Sequence, residues 1–78
     1  MAEGFIIYLR EGTVIWEDKL PRGVIHDPVA RTLRSEKGRI GRSGERLSAM
    51  VEGRWFTIGT RLVDKITDLK GTVLENNA

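Results

Sequence analysis

Apolar and polar positions alternate along this chain in short runs, and no window carries the apolar spacing of a long helix. Phe5 to Leu9 is the longest apolar run. Arg10-Glu11-Gly12 follows as a three-residue loop, with glycine where a left-handed residue is wanted. Thr13 to Glu17 is expected to return as its partner strand, pairing Ile7 with Ile15 and Ile6 with Trp16. Asp18 to Gly23 reads as a polar connection holding Pro21. Val24 to Leu33 is extended but broken at Asp27-Pro28, since proline removes a ladder donor and restricts its predecessor. Ser35 to Glu45 is loop-rich, with a short strand expected around Arg39 to Gly41.

The clearest hairpin lies in RLSAMVEGRWFTIGTRL, from Arg46 to Leu62. Leu47 to Val51 and Arg54 to Ile58 flank Glu52-Gly53, a two-residue turn with glycine second. That register sets Leu47 opposite Ile58 and Ala49 opposite Phe56 on the core face. Met50 then meets Trp55, and Ser48 meets Thr57, on the other face. Phe56 is the core aromatic and Trp55 points outward, because neighbours in a strand face opposite ways. Arg61 to Thr67 makes a further strand, Asp68-Leu69-Lys70-Gly71 a turn, and Thr72 to Leu74 the last strand. Short strands punctuated by glycine predict an all-β fold: a small, partly open barrel, OB-like or SH3-like, of five to seven strands. Residues 1–78 form one domain, with a frayed tail from Glu75 to Ala78.

Size limits that core. A chain of 78 residues buries only about 60 % of the surface its unfolded form exposes. Cysteine is absent, which removes disulfides and thiolate metal sites. No apolar run approaches the ~20 residues of a membrane helix, and Met1-Ala2-Glu3-Gly4 lacks the basic and apolar regions of a secretory signal. A cytoplasmic protein is expected. Glutamine is missing and charged residues reach 31 %, the direction taken by thermophile compositions.

The stretch GRIGRSGERLSAMVEGRWFTIGTRLVDKITDLKGTVLE, Gly38 to Glu75, resembles the C-terminal OB-fold domain of NfeD-like proteins. The matching positions are Gly38, Ile40, Gly44, Ala49, Glu52, Gly53, Trp55, Phe56, Gly59, Leu62, Gly71 and Leu74. Glu36 stands where that family carries proline, and the family's membrane helices have no counterpart here. The resemblance implies a non-enzymatic interaction module and carries over no catalytic residue. The segment LSAMVEGRWFTI also resembles the ring-forming tryptophan RNA-binding attenuation family.

Candidate chemistry is sparse. His26 is the only histidine, so a zinc site would need carboxylates to complete it, and a loop histidine before Asp27-Pro28 is the plainer reading. Ser35, Ser43 and Ser48 sit in turn or strand contexts without a nucleophile signature. Gly38, Gly41 and Gly44 recur every three residues, but a dinucleotide fingerprint needs a helix after it, and strand follows here. No cofactor, metal or catalytic residue is expected, and the chain does not read as an enzyme.

Charge carries more. Arg31, Arg34, Lys37, Arg39, Arg42 and Arg46 crowd one segment against Glu36 and Glu45, while the whole chain is only +2. Arginine suits phosphate because its planar fork donates parallel hydrogen bonds. These six residues are the candidate nucleic-acid contacts, with Tyr8, Trp16 and Trp55 as stacking aromatics; a solvated basic loop is the competing reading. Phe5, Ile6, Tyr8, Met50 and Trp55 are candidate interface residues, since β-strand Phe5 to Leu9 is apolar on both faces. The expected partners are a second copy, met by Trp55 and Met50 with the strand Phe5 to Leu9 able to take part by edge pairing, and nucleic acid, DNA or RNA. A protein partner in a structural assembly, of phage origin for instance, is the alternative.

Overall fold

The computed structural model describes residues 3–77. Its strands are β1 (Phe5–Leu9), β2 (Ile25–Asp27), β3 (Thr32–Ser35), β4 (Ile40–Ser43), β5 (Arg46–Val51), β6 (Arg54–Gly59), β7 (Val63–Thr67) and β8 (Val73–Asn76). Short 3-10 turns occupy Glu17–Lys19 and Thr60–Leu62. The all-β architecture is as expected. Eight strands, rather than five to seven, make two antiparallel sheets, ordered β2-β3-β1-β7-β8 and β4-β5-β6. They enclose one core in the manner of a partly open barrel.

β1 explains the architecture. Phe5, Ile7 and Leu9 point inward at 0–3 % exposure, beside Leu33, Val63 and Ile66 of the same sheet. Leu47, Ala49, Val51, Phe56 and Ile58 of the three-stranded sheet close the core from the other side. Alternation along each strand therefore does the sorting between core and solvent.

The expected β1 hairpin does not form. β1 lies between β3 and β7, with Ile7 opposite both Leu33 and Ile66, so neither of its edges is free. The chain turns after Leu9, where the Thr13 amide donates to the Arg10 carbonyl at 3.1 Å and the Arg10 amide to Leu62 at 2.9 Å. Residues 13–16 then leave the sheet. Distant partners win because Leu33 and Ile66 bury completely against Ile7, whereas Ile15 is half-buried and Trp16 exposed. On β1's second face the Lys65 ammonium sits 4.7 Å from the centre of the Tyr8 ring, and Ile6 is half-buried between Arg34 and Thr67.

The Arg46 to Leu62 hairpin has the register read from the sequence, with Leu47–Ile58, Ser48–Thr57, Ala49–Phe56 and Met50–Trp55 as facing pairs. The break at Asp27-Pro28 is a reversal. The Asp27 carboxylate accepts the amides of Val29 and Ala30 at 3.0 and 3.1 Å, a side-chain-made turn that folds β2 onto β3. His26 thus belongs to β2 rather than a loop. The frayed tail is also overturned for Glu75 to Asn77. Glu75 and Asn76 complete β8, and the Asn77 amide donates to the Asp64 carbonyl at 2.8 Å. β7 offers them an open edge, and Arg42 holds Glu75 at 3.5 Å. Met1, Ala2 and Ala78 lie outside the described residues.

Candidate functional site

The outer face of β4-β5-β6 is built by the register of its strands. With Leu47, Ala49, Phe56 and Ile58 turned inward, three cross-strand rows face solvent: Met50–Trp55, Gly41–Ser48–Thr57 and Ser43–Arg46–Gly59. The middle of this face is smooth. A side-chain carbon at Gly41 or Gly59 would meet nothing within 4 Å, and the Ser48 and Thr57 hydroxyls lie 3.4 Å apart. Trp55 stands at one end, 69 % exposed, beside Met50 at 39 %. Continuing the β4–β5 register by one residue brings Arg39 in line with Met50. Arg46 lies at the other end, where Arg61 shares a hollow with it and Glu45. None of the three strands contains an aspartate or glutamate; Glu45 and Glu52 are confined to their turns.

The six basic residues expected to act together are divided by the fold. Arg39 and Arg46 attend the face just described. Arg42 is on β4 but takes the register of Leu47, and its guanidinium reaches Glu75 on β8 at 3.5 Å. There it links the facing edges of the two sheets. Arg34 lies on the outer face of the five-stranded sheet, 3.8 Å from Glu36. Lys37 and Arg34 share a hollow of about 270 Å³ with Glu36 and Glu52. Arg31 is at the β2–β3 turn, in a left-handed conformation with φ 56. Sequence proximity overstated their clustering because the turns at residues 28–31 and 36–39 redirect the chain between them.

The candidate interface residues also separate. Phe5 is fully buried and is core, not surface. Ile6 and Tyr8 are half-buried on the outer face of the five-stranded sheet. Met50 and Trp55 remain exposed. Sequence reasoning missed a groove of about 190 Å³ along the edge of β6, walled by Val14, Trp16, Lys19 and Leu20 on one side and by Trp55 to Ile58 and Leu62 on the other. Trp16 is 68 % exposed there and Val14 71 %. The signal was present in the apolar run Val14-Ile15-Trp16, but it was assigned to pairing with β1.

The other polar groups serve structure. Ser35 is buried, and its hydroxyl donates to the Lys37 carbonyl at 2.8 Å. His26 Nδ1 lies 3.2 Å from the Glu17 carboxylate, which ties the 3-10 turn at Glu17–Lys19 to β2. Among the described residues, no three His, Cys, Asp or Glu side chains gather as a metal site, and no helix is long and apolar enough to cross a membrane. The hollows measure about 190, 270 and 400 Å³, below or at the low end of the ~300–1,000 Å³ of small-molecule pockets. No family model matches the chain, and no curated protein or solved structure matches it significantly.

Proposed function

We propose that this chain is a non-enzymatic binding module that holds an anionic polymer, nucleic acid, on the outer face of β4-β5-β6. One observation carries the reading: the strands of this face carry no carboxylate, Glu45 and Glu52 standing in its turns, while Arg46 and the exposed Trp55 stand at opposite ends of a smooth strip. Guanidinium groups meet phosphate in paired hydrogen bonds. An exposed indole stacks on a base for about 1–3 kcal/mol and does so without sequence preference. Glycine and small hydroxyl side chains between them let a backbone approach closely. The contacts then fall on Arg39, Arg46 and Trp55, with Arg61 beside them, rather than on the whole segment from Arg31 to Arg46. The resemblance to an NfeD-like OB-fold domain, a non-enzymatic module, agrees with this role, and a cytoplasmic setting would supply such a ligand.

Tryptophan fluorescence and gel retardation with single- and double-stranded oligonucleotides test the proposal. Binding should weaken strongly between about 50 and about 200 mM salt, because neutralised phosphates release counterions. The double variant Arg39→Glu, Arg46→Glu should lose retention, and Arg34→Glu should keep it. Absence of retention of either nucleic acid at low salt, or equal damage from Arg34→Glu, would overturn it.

A further inference from the structure

Trp55, Phe56, Thr57 and Ile58 all line the groove beside β6. Consecutive strand residues point to alternate faces, so a groove that touches all four runs along the strand's backbone edge. That edge is unpaired. β6 ends the order β4-β5-β6, and among the described residues no backbone hydrogen bond joins it to residues 13–20. The two-residue turn fixes which groups are free. Val51 and Arg54 flank it as a pair, so Arg54, Phe56 and Ile58 exchange bonds with β5 while the amides and carbonyls of Trp55 and Thr57 point away. The opposite wall is anchored from below, since Ile15 and Leu20 pack on the core. Val14 and Trp16 stay outside.

We propose that this edge is where a second copy of the chain docks, β6 pairing antiparallel with β6 of its twin about a twofold axis. Three considerations select that occupant. A twofold contact uses one patch twice, so the unpaired Trp55 and Thr57 groups of each copy complete those of the other. The area is sufficient: an aromatic side chain covers about 150–250 Å² when buried, and Trp16 and Trp55 are each about two-thirds exposed. With Val14, Leu62 and the strand backbone, roughly 500 Å² per copy is available, and a specific contact needs roughly 1,000 Å² in total. Finally, among the described residues Lys19 is the single charged one lining the groove, so little charge has to be desolvated. The pair would share one six-stranded sheet, placing the two outer faces, whose strands carry no carboxylate, edge to edge. That consequence rests on the anionic-polymer reading; the pairing does not.

Light scattering on the full chain, without nucleic acid, decides the matter. The expected mass is twice 8.8 kDa at micromolar to millimolar concentration, falling to one copy on dilution. Thr57→Pro removes an outward amide while leaving the β5 ladder intact, and Trp16→Ser removes the wall without touching the backbone. Each should raise the dimer dissociation constant at least tenfold with the strand circular dichroism unchanged. If Thr57→Pro fails to fold, Trp16→Ser decides alone. A single-copy mass at every concentration, or a dimer indifferent to the folded variants, overturns the proposal. Because nucleic acid is absent, failure here leaves the retardation experiment untouched, and the reverse holds as well.

Discussion

The five-stranded sheet answers its outward charges locally, and the three-stranded sheet does not. On the first, Arg34 lies 3.8 Å from Glu36, Arg10 lies 3.8 Å from Asp64, and Lys65 rests over Tyr8. On the second, Arg46 stands in an outward row of a strand with no acidic residue. Exposed ion pairs add little stability, about 0–1 kcal/mol each, so the difference is one of surface field rather than fold strength. β1, central to the first sheet, buries Phe5 and Ile7 as completely as β5 of the second buries Leu47, Ala49 and Val51, whereas β6, an edge of the second, supplies the most exposed tryptophan. Both sheets wall the one core, and the second also turns Trp55 and Met50 to solvent.

Truncation breaks that contrast most severely. Phe5→Ala should cost about 3–5 kcal/mol, since it empties a large, fully buried site in a small core. Trp55→Ala should cost below about 1 kcal/mol, as expected of an exposed position. Urea unfolding of both variants gives the comparison directly. Similar costs would mean that β6 carries as much of the core as β1.

The junction between the sheets comes next. Gly38 has φ +88, and a side-chain carbon there would collide with the Met50 carbonyl oxygen. Its own carbonyl accepts the Gly4 amide at 2.8 Å, so one residue touches both sheets. Gly38→Ala combines a left-handed backbone with a clash against main chain and should cost roughly 2–3 kcal/mol. Gly41→Ala, in open space three residues further on in β4, serves as its control and should cost under about 1 kcal/mol. Equal losses would show that the close approach relaxes freely.

How much of this was legible in the sequence follows from what each feature depends on. The β5–β6 register could be read residue by residue, because Glu52-Gly53 and the alternation on either side are local signals. The inward set of β1 could be read as well. Its partners could not: Leu33 and Ile66 are far along the chain, and Arg10-Glu11-Gly12 offered a convincing local turn toward Ile15 instead. The groove is hidden for the same reason, since the alternation Val14-Ile15-Trp16 fits a strand beside β1 as well as a wall facing β6. The candidate basic segment was visible as composition. Its division among two sheets, an inter-sheet link and a turn depends on strand orientation that spacing alone leaves open.

Charge reversal sharpens the contrast with a smaller effect. Arg46→Glu should weaken binding of a single-stranded oligonucleotide by about tenfold, which is about 1.4 kcal/mol. It should also lower the salt slope by about one phosphate. Arg34→Glu, on the sheet whose charges are already paired, should change the affinity less than threefold. Titrations at two salt concentrations separate the two cases. Equal losses would assign binding to overall charge and dissolve the distinction between the sheets.

The smallest effect lies in the turn that creates the presenting sheet. Glu52 and Gly53 both have positive φ, 48 and 81, as a two-residue hairpin of this hand requires. Glycine takes such angles freely, but glutamate does so against a steric cost that asparagine largely avoids. Glu52→Asn should therefore stabilise the fold by about 0.5–1 kcal/mol, raising Tm by about 3–6 °C in a domain this small. Calorimetry at neutral pH measures it. One contact opposes the gain: the Glu52 carboxylate lies over Gly23, with Oε2 2.7 Å from where a side-chain carbon would sit. A fall in Tm would mean that this contact, which ties the β5–β6 turn to the approach to β2, outweighs the backbone strain. The three-stranded sheet would then lean on the five-stranded one even at its tip. A rise would show the turn to be self-sufficient, and the substitution would also remove a carboxylate from the border of the cationic face.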